Sequence, residues 1–224
     1  MPREEAARRL SEVRSRITKA ADRAKRDPAG VTLLAVSKTF SAEAVDAFIG
    51  AGQLEFGESY VQEAKIKIPS VRGLAVWHFI GSLQSNKAGA AAKLFDCVHS
   101  LDSLRLASEL DRRLAEESRS MDVYLQVNVS GEGSKGGMAP EALEGFLEAM
   151  RAYKALIPVG LMTMPPFDPD PEAARPHFRR LRELRDASAP GLAGLSMGMS
   201  GDYEAAVEEG ATIVRVGTAL FGAR

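Results

Sequence analysis

The stretch VTLLAVSKTF, Val31 to Phe40, is an apolar, β-branched run that ends in Ser37, Lys38 and Thr39 and carries no glycine. An open, doubly wound sheet usually places a glycine-rich turn after its first strand. The lack of one here favours a closed barrel. The run also sets a second question. Lysine normally buries its stem and keeps its charge in water. Lys38 therefore either ends a strand in solvent or points into a site that needs an amine.

Outward from this run the same rhythm recurs. VTLLAV (31–36), LEFG (54–57), VWHFIG (76–81), CVHSL (97–101), VYLQVNV (123–129), IPVGLMTM (157–164), GLSMG (194–198) and TIVRVG (212–217) make about eight short strand-like runs. The segments between them, such as SAEAVDAFIGAG and DSLRLASELDRRLAEE, repeat apolar residues at helical spacing. Ser41, Asp102 and Asp202 are the expected N-caps, since their oxygens can accept the free N–H groups of a first turn. Strict alternation implies parallel strands, and eight units imply a (β/α)8 TIM barrel. Residues 3–26 add a helix outside it, with Leu10, Val13, Ile17, Ala20 and Ala24 on one face and DPAG (27–30) as its stop. No linker or repeat divides residues 1–224, so a single domain is expected.

Composition narrows the function classes. Hydrophobic residues make up 45% and charged residues 26%, an ordinary globular mix. A net charge of −1 gives no nucleic-acid footprint. The opening MPREEAARRL has no apolar h-region, and no run approaches the length of a membrane span. The single cysteine, Cys97, cannot form an internal disulfide. A cytoplasmic protein is expected.

Barrel function sits at the C-terminal ends of the strands, and the polar and glycine-rich clusters fall there. The last two are the most informative: SMGMSGD (196–202) and RVGTALFG (215–222). Phosphate groups often bind these barrels after strands seven and eight. Ser200 and Thr218 offer hydroxyl donors, and Gly217 permits close backbone approach. Arg215, two residues before Gly217, shares its strand face. A lysine, an arginine and an anion site would together suit a phosphate-bearing aldehyde. Desolvation beside another cation favours the neutral amine that attacks such an aldehyde. Pyridoxal 5′-phosphate (PLP) is such a ligand, and Arg215 would keep its pyridine nitrogen unprotonated.

These segments resemble the pyridoxal phosphate homeostasis proteins, single-domain relatives of the alanine racemase barrel. LLAVSK, WHFIGSLQSNK, VNVSGEGSKGG, GLMTMPP and LSMGMSGDYEAAVEEGATIVRVGTALFG carry the resemblance over nearly the whole chain. It implies a PLP fold type III barrel with Lys38 forming a Schiff base to the cofactor. It implies further that Ser200, Gly217 and Thr218 hold the phosphate and that Arg215 faces the pyridine nitrogen. Ser59 stands where the family commonly has asparagine, and Ser82 where it often has histidine or proline. The racemases take a second base, a tyrosine, from a further domain. With the chain ending at Arg224, that base is expected to be missing. The implied role is therefore cofactor buffering and delivery to PLP-dependent acceptor enzymes, without established catalysis, by a monomer. The rival is a PLP-dependent amino-acid racemase using the same lysine.

Other candidates have plainer readings. Lys135 and Lys87 read first as solvated loop lysines, with transient receipt of cofactor as the alternative. His78, His99 and His177 lack metal-ligand spacing, so no metal is expected. His78 reads as a core histidine, Cys97 as a small buried hydrophobe, and Met162, Met164, Met197 and Met199 as core or pocket lining.

Overall fold

The computed structural model describes residues 1–133 and 136–223. Lys135 lies outside the described residues. Eight parallel strands close on themselves in sequence order, β1 pairing with both β2 and β8. They are β1 Thr32–Val36, β2 Glu55–Glu58, β3 Val76–Phe79, β4 Cys97–Leu101, β5 Met121–Gln126, β6 Leu156–Met162, β7 Gly194–Met199 and β8 Ile213–Val216. Each coincides with one of the eight runs, displaced by a few residues at most. The runs are nearly continuous in apolar residues because each strand is buried on both faces, by barrel filling inside and helices outside.

Alternation separates the two sides. Leu34, Val36, Ile80, Cys97, Tyr124, Met162 and Ile213 form one cluster inside the barrel. Leu33, Ala35, Phe56, Trp77 and Val214 belong to the larger core between barrel and helices. Leu34 and Val36 thus set an inward parity that Lys38 continues, as Ile213 does for Arg215 and Gly217.

Helix α1, Arg3–Arg23, packs outside against α2 (Ala42–Gly50), α8 (Tyr203–Glu208) and α9 (Thr218–Phe221). It buries Leu10, Val13, Ile17 and Ala20, together with Ala21; Ala24 is only half-buried. Arg16 and Arg23 pair with Glu204, and Arg23 also with Glu208. One expected cap is corrected. Helix α5, Leu104–Glu116, is capped by Ser103, not Asp102: the Ser103 hydroxyl accepts the Leu106 N–H at 3.4 Å. Ser41 and Asp202 do occupy N-cap positions, without a side-chain cap bond. The Asp202 carboxylate instead accepts the Met199 N–H at 2.6 Å, tying the end of β7 to the start of α8. No described helix is long and apolar enough to cross a membrane.

Candidate functional site

A cavity of about 350 Å³ opens at the C-terminal ends of the strands, and Lys38, Ser200, Arg215, Gly217 and Thr218 all line it. The chain thus converges five residues separated by up to 180 positions on one space, with Val36, Ile80, Met164 and Met199 as apolar walls. Ser59 lines it too; Lys87 and Ser82 do not. The Gly217 N–H donates to Ser200 Oγ at 3.1 Å, so the two phosphate candidates already touch. The Ser200 hydroxyl accepts there and keeps its own proton to donate to an anion. Three carboxylates border the same space, but each serves the backbone. Asp168 and Asp170 accept the Asp170 and Glu172 N–H groups, and Asp202 accepts that of Met199.

Arg215 is 3% exposed, inside the barrel and part of the cavity lining. Its guanidinium donates to Ser196 Oγ at 2.6 Å and to the Thr163 carbonyl at 2.9 Å. Burial lowers its pKa to about 10, opposed by the charge of Asp202; it remains a cation at neutral pH. Asp202 is in turn raised by burial, against the Met199 N–H and Arg215.

Below Arg215 the sequence reading missed a polar chain. Ser196 Oγ lies 2.8 Å from His99 Nδ1, His99 Nε2 lies 2.8 Å from His78 Nδ1, and His78 Nε2 lies 2.6 Å from Glu55 Oε2. Glu55 borders a wider, shallower cleft of about 540 Å³ at the N-terminal end of the barrel, which Arg14, Thr18, Thr32 and Gln53 also line. Burial holds His99 well below its ordinary pKa near 6.5, with His78 and Arg215 adding to the effect. Its ring is therefore neutral. Among the described residues, His78, Cys97 and His99 bring ligand-type atoms within 4.8 Å of one another. Both histidines, however, already use both ring nitrogens in hydrogen bonds, and burial raises the Cys97 thiol well above its ordinary range, away from thiolate.

A second missed group flanks Lys38. Lys67, on α3 (Val61–Lys67), is 5% exposed and donates to the Ser37 carbonyl, Glu58 and Glu63. Thr39 has φ +70°, a left-handed conformation that costs a β-branched residue about 1–3 kcal/mol. The remaining groups behave as read: Met162 and Met197 are core, Met164 and Met199 line the cavity, and Cys97 is buried.

The family model for the N-terminal domain of alanine racemase matches residues 9–224. A pyridoxal phosphate homeostasis protein of Pseudomonas aeruginosa is 50% identical over 221 residues, covering 97% of this chain and 95% of its own. PipY of Synechococcus elongatus, solved with PLP bound, superposes with a TM-score of 0.83 at 38% identity, over 97% of this chain and all of that one. Alanine racemase of Bartonella henselae, at 13% identity and a TM-score of 0.75, matches over all of this chain and 60% of its own, and shares the fold.

Proposed function

The chain belongs to the pyridoxal phosphate homeostasis proteins, within the family of the alanine racemase N-terminal domain, and on that premise we propose that it binds pyridoxal 5′-phosphate through a Schiff base to Lys38 and buffers or delivers it. The observation that carries the reading is the convergence of Lys38, Arg215, Ser200, Gly217 and Thr218 on one cavity. That donor set fits the group: an amine for an aldehyde, hydroxyls for a phosphate, and a buried cation for an aromatic nitrogen.

The bound cofactor supplies an electrophilic aldehyde and an electron-poor ring; the protein supplies everything else. Lys38 offers its amine in a pocket walled by Val36, Ile80 and the two methionines, which limits water. Ser200 and Thr218 hold the phosphate, and Gly217 leaves its backbone open to it. Arg215 faces the ring nitrogen. A guanidinium only donates, so it keeps that nitrogen unprotonated and the ring a weak electron sink. That suits retention better than turnover. In this reading the protein is a cytoplasmic monomer that hands cofactor to PLP-dependent acceptor enzymes.

The test is an absorbance spectrum with added cofactor, before and after borohydride, followed by peptide mass mapping. An imine band lost on reduction, with the pyridoxyl mass on the Lys38 peptide and none in Lys38→Ala, is expected. No band, or label mainly on Lys87 or Lys135, overturns the site. Steady loss of optical activity from alanine or serine, dependent on Lys38, overturns the carrier role in favour of a racemase.

A further inference from the structure

The residues on either side of Lys38 are held by one buried ion cluster. The Lys67 ammonium has three N–H donors and uses each once: on the Ser37 carbonyl at 2.7 Å, on Glu58 Oε1 at 2.7 Å and on Glu63 Oε1 at 2.5 Å. The carboxylates then bind the same backbone segment a second time. Ser37 Oγ donates to Glu58 Oε1 at 2.7 Å, and the Thr39 N–H donates to Glu63 Oε1 at 2.5 Å. Ser37 and Glu58 are fully buried. Lys38 therefore sits between two residues that are each pinned to the start of the β2–α3 unit.

Two features exceed what closing a strand end requires. The first is Thr39, whose φ of +70° is held by the Glu63 contact in a region that L side chains rarely adopt. The second is charge. Two carboxylates share one ammonium, and Glu58 Oε2 is buried with no hydrogen-bond partner among the described residues. Burying such a cluster carries a desolvation cost that only close geometry and further hydrogen bonds offset.

We propose that Lys67, with Glu58 and Glu63, is a positioning group for Lys38. It fixes the Ser37–Thr39 backbone so that the Lys38 amine meets the aldehyde in a reactive orientation, an inference that rests on the proposed PLP-binding function. None of the three clustered residues lines the cavity, so they act through the backbone and not on the ligand.

The experiment uses the full chain with pyridoxal 5′-phosphate and borohydride, measuring the rate and site of pyridoxyl labelling. Glu63→Ala removes the Thr39 contact at a side chain that is 25% exposed, so the fold should survive. Thr39→Gly relieves the left-handed strain and should leave stability equal or higher. Glu63→Ala is expected to lower the Lys38 labelling rate roughly tenfold or more, because small misplacements of a reacting group are that costly; Thr39→Gly keeps the N–H and its bond to Glu63 and should label at close to the wild-type rate. Amide exchange at Thr39, measured without cofactor, should accelerate in Glu63→Ala, and Glu63→Asp or Glu63→Gln should restore part of both signals. Wild-type labelling at Lys38 with an unchanged rate in Glu63→Ala overturns the positioning role alone. Absence of wild-type labelling at Lys38 overturns the binding function itself.

Discussion

His99 Nε2 lies 2.8 Å from His78 Nδ1, inside the barrel, in a longer chain that ends one hydrogen bond away at Glu55 and two away at Arg215. The ends fix its polarity. Glu55 as a carboxylate only accepts, so a neutral His78 ring would donate from Nε2 and accept at Nδ1. His99, a neutral ring, then donates from Nε2 and accepts at Nδ1 from the Ser196 hydroxyl, which in turn accepts from Arg215. One arrangement satisfies every group, and it runs from the cavity at one end of the barrel to the cleft at the other.

This chain makes stability acid-sensitive. The folded pKa of His99 lies well below 6.5, so beneath pH 6.5 the unfolded chain takes a proton that the native ring refuses. The unfolded state binds more protons, and stability rises with pH. The His99 contribution is thus full above about 6.5 and is lost on acidification, at up to ~1.4 kcal/mol per pH unit. Glu58 runs the other way. Burial raises its carboxyl despite the Lys67 and Ser37 bonds, so its contribution falls as pH climbs from near 4.5 through the raised value. That term is common to wild type and His99→Gln. Urea unfolding of the two between pH 7 and 5 should therefore show a shallower pH slope in the variant. Equal slopes would mean that burial does not shift the His99 ring away from its unfolded behaviour.

The barrel was legible in the sequence because a strand buried on both faces must be an apolar run, and eight such runs leave little choice of topology. That Lys38, Ser200, Arg215, Gly217 and Thr218 would converge on one end of the barrel was legible because each lies at or just after the C-terminal end of a strand. The Glu55–His78–His99–Ser196 chain was not. It depends on cross-strand register, His78 opposite Cys97 and Ser196 97 residues from His99, and no local spacing encodes that. Lys67 was hidden for a related reason. On α3 it reads as one more polar position, and only the path of β2 into α3 turns it under Ser37. The cap of α5 moved from Asp102 to Ser103 because the helix begins one residue later than the acidic side chain suggests.

The Lys67–Glu58 pair should show strong coupling. Lys67→Met strands a fully buried Glu58 carboxylate, and removing one partner of such a pair costs about 3–5 kcal/mol. Adding Glu58→Leu removes the stranded charge and should recover most of that loss, since apolar replacement of a buried pair is often neutral. Urea unfolding of the two single variants and the double one gives the cycle. Additive losses would mean that the two side chains do not act as a pair.

Gly198→Ala should damage the loop that presents Ser200. Gly198 has φ +92°, and a Cβ there would lie 2.5 Å from Ala206 Cβ and 3.0 Å from Tyr203 Cα. The left-handed penalty and the overpacking together cost roughly 2–5 kcal/mol. Helix α8 must shift to admit the methyl, and Ser200 precedes it by three residues. Thermal unfolding should show the loss, and cofactor retention through gel filtration should fall with it. Gly201→Ala is the control for thermal unfolding alone, because its Cβ meets nothing within 4 Å of protein while the residue itself lines the cavity.

Arg215→Met separates stability from binding. The guanidinium is almost wholly buried with no carboxylate bonded to it, so replacing it with an apolar chain of similar reach saves its desolvation cost. Against this, the Thr163 carbonyl loses a donor and the Ser196 hydroxyl a partner, at about 1–3 kcal/mol. The two nearly cancel, and the unfolding free energy should stay within about 2 kcal/mol of wild type. Cofactor retention should nonetheless fall, and the imine absorbance band should shift if the ring nitrogen loses the cation proposed to face it. A destabilisation well beyond that range, with retention unchanged in the folded fraction, would make Arg215 a keystone of the barrel interior and no partner of the ring.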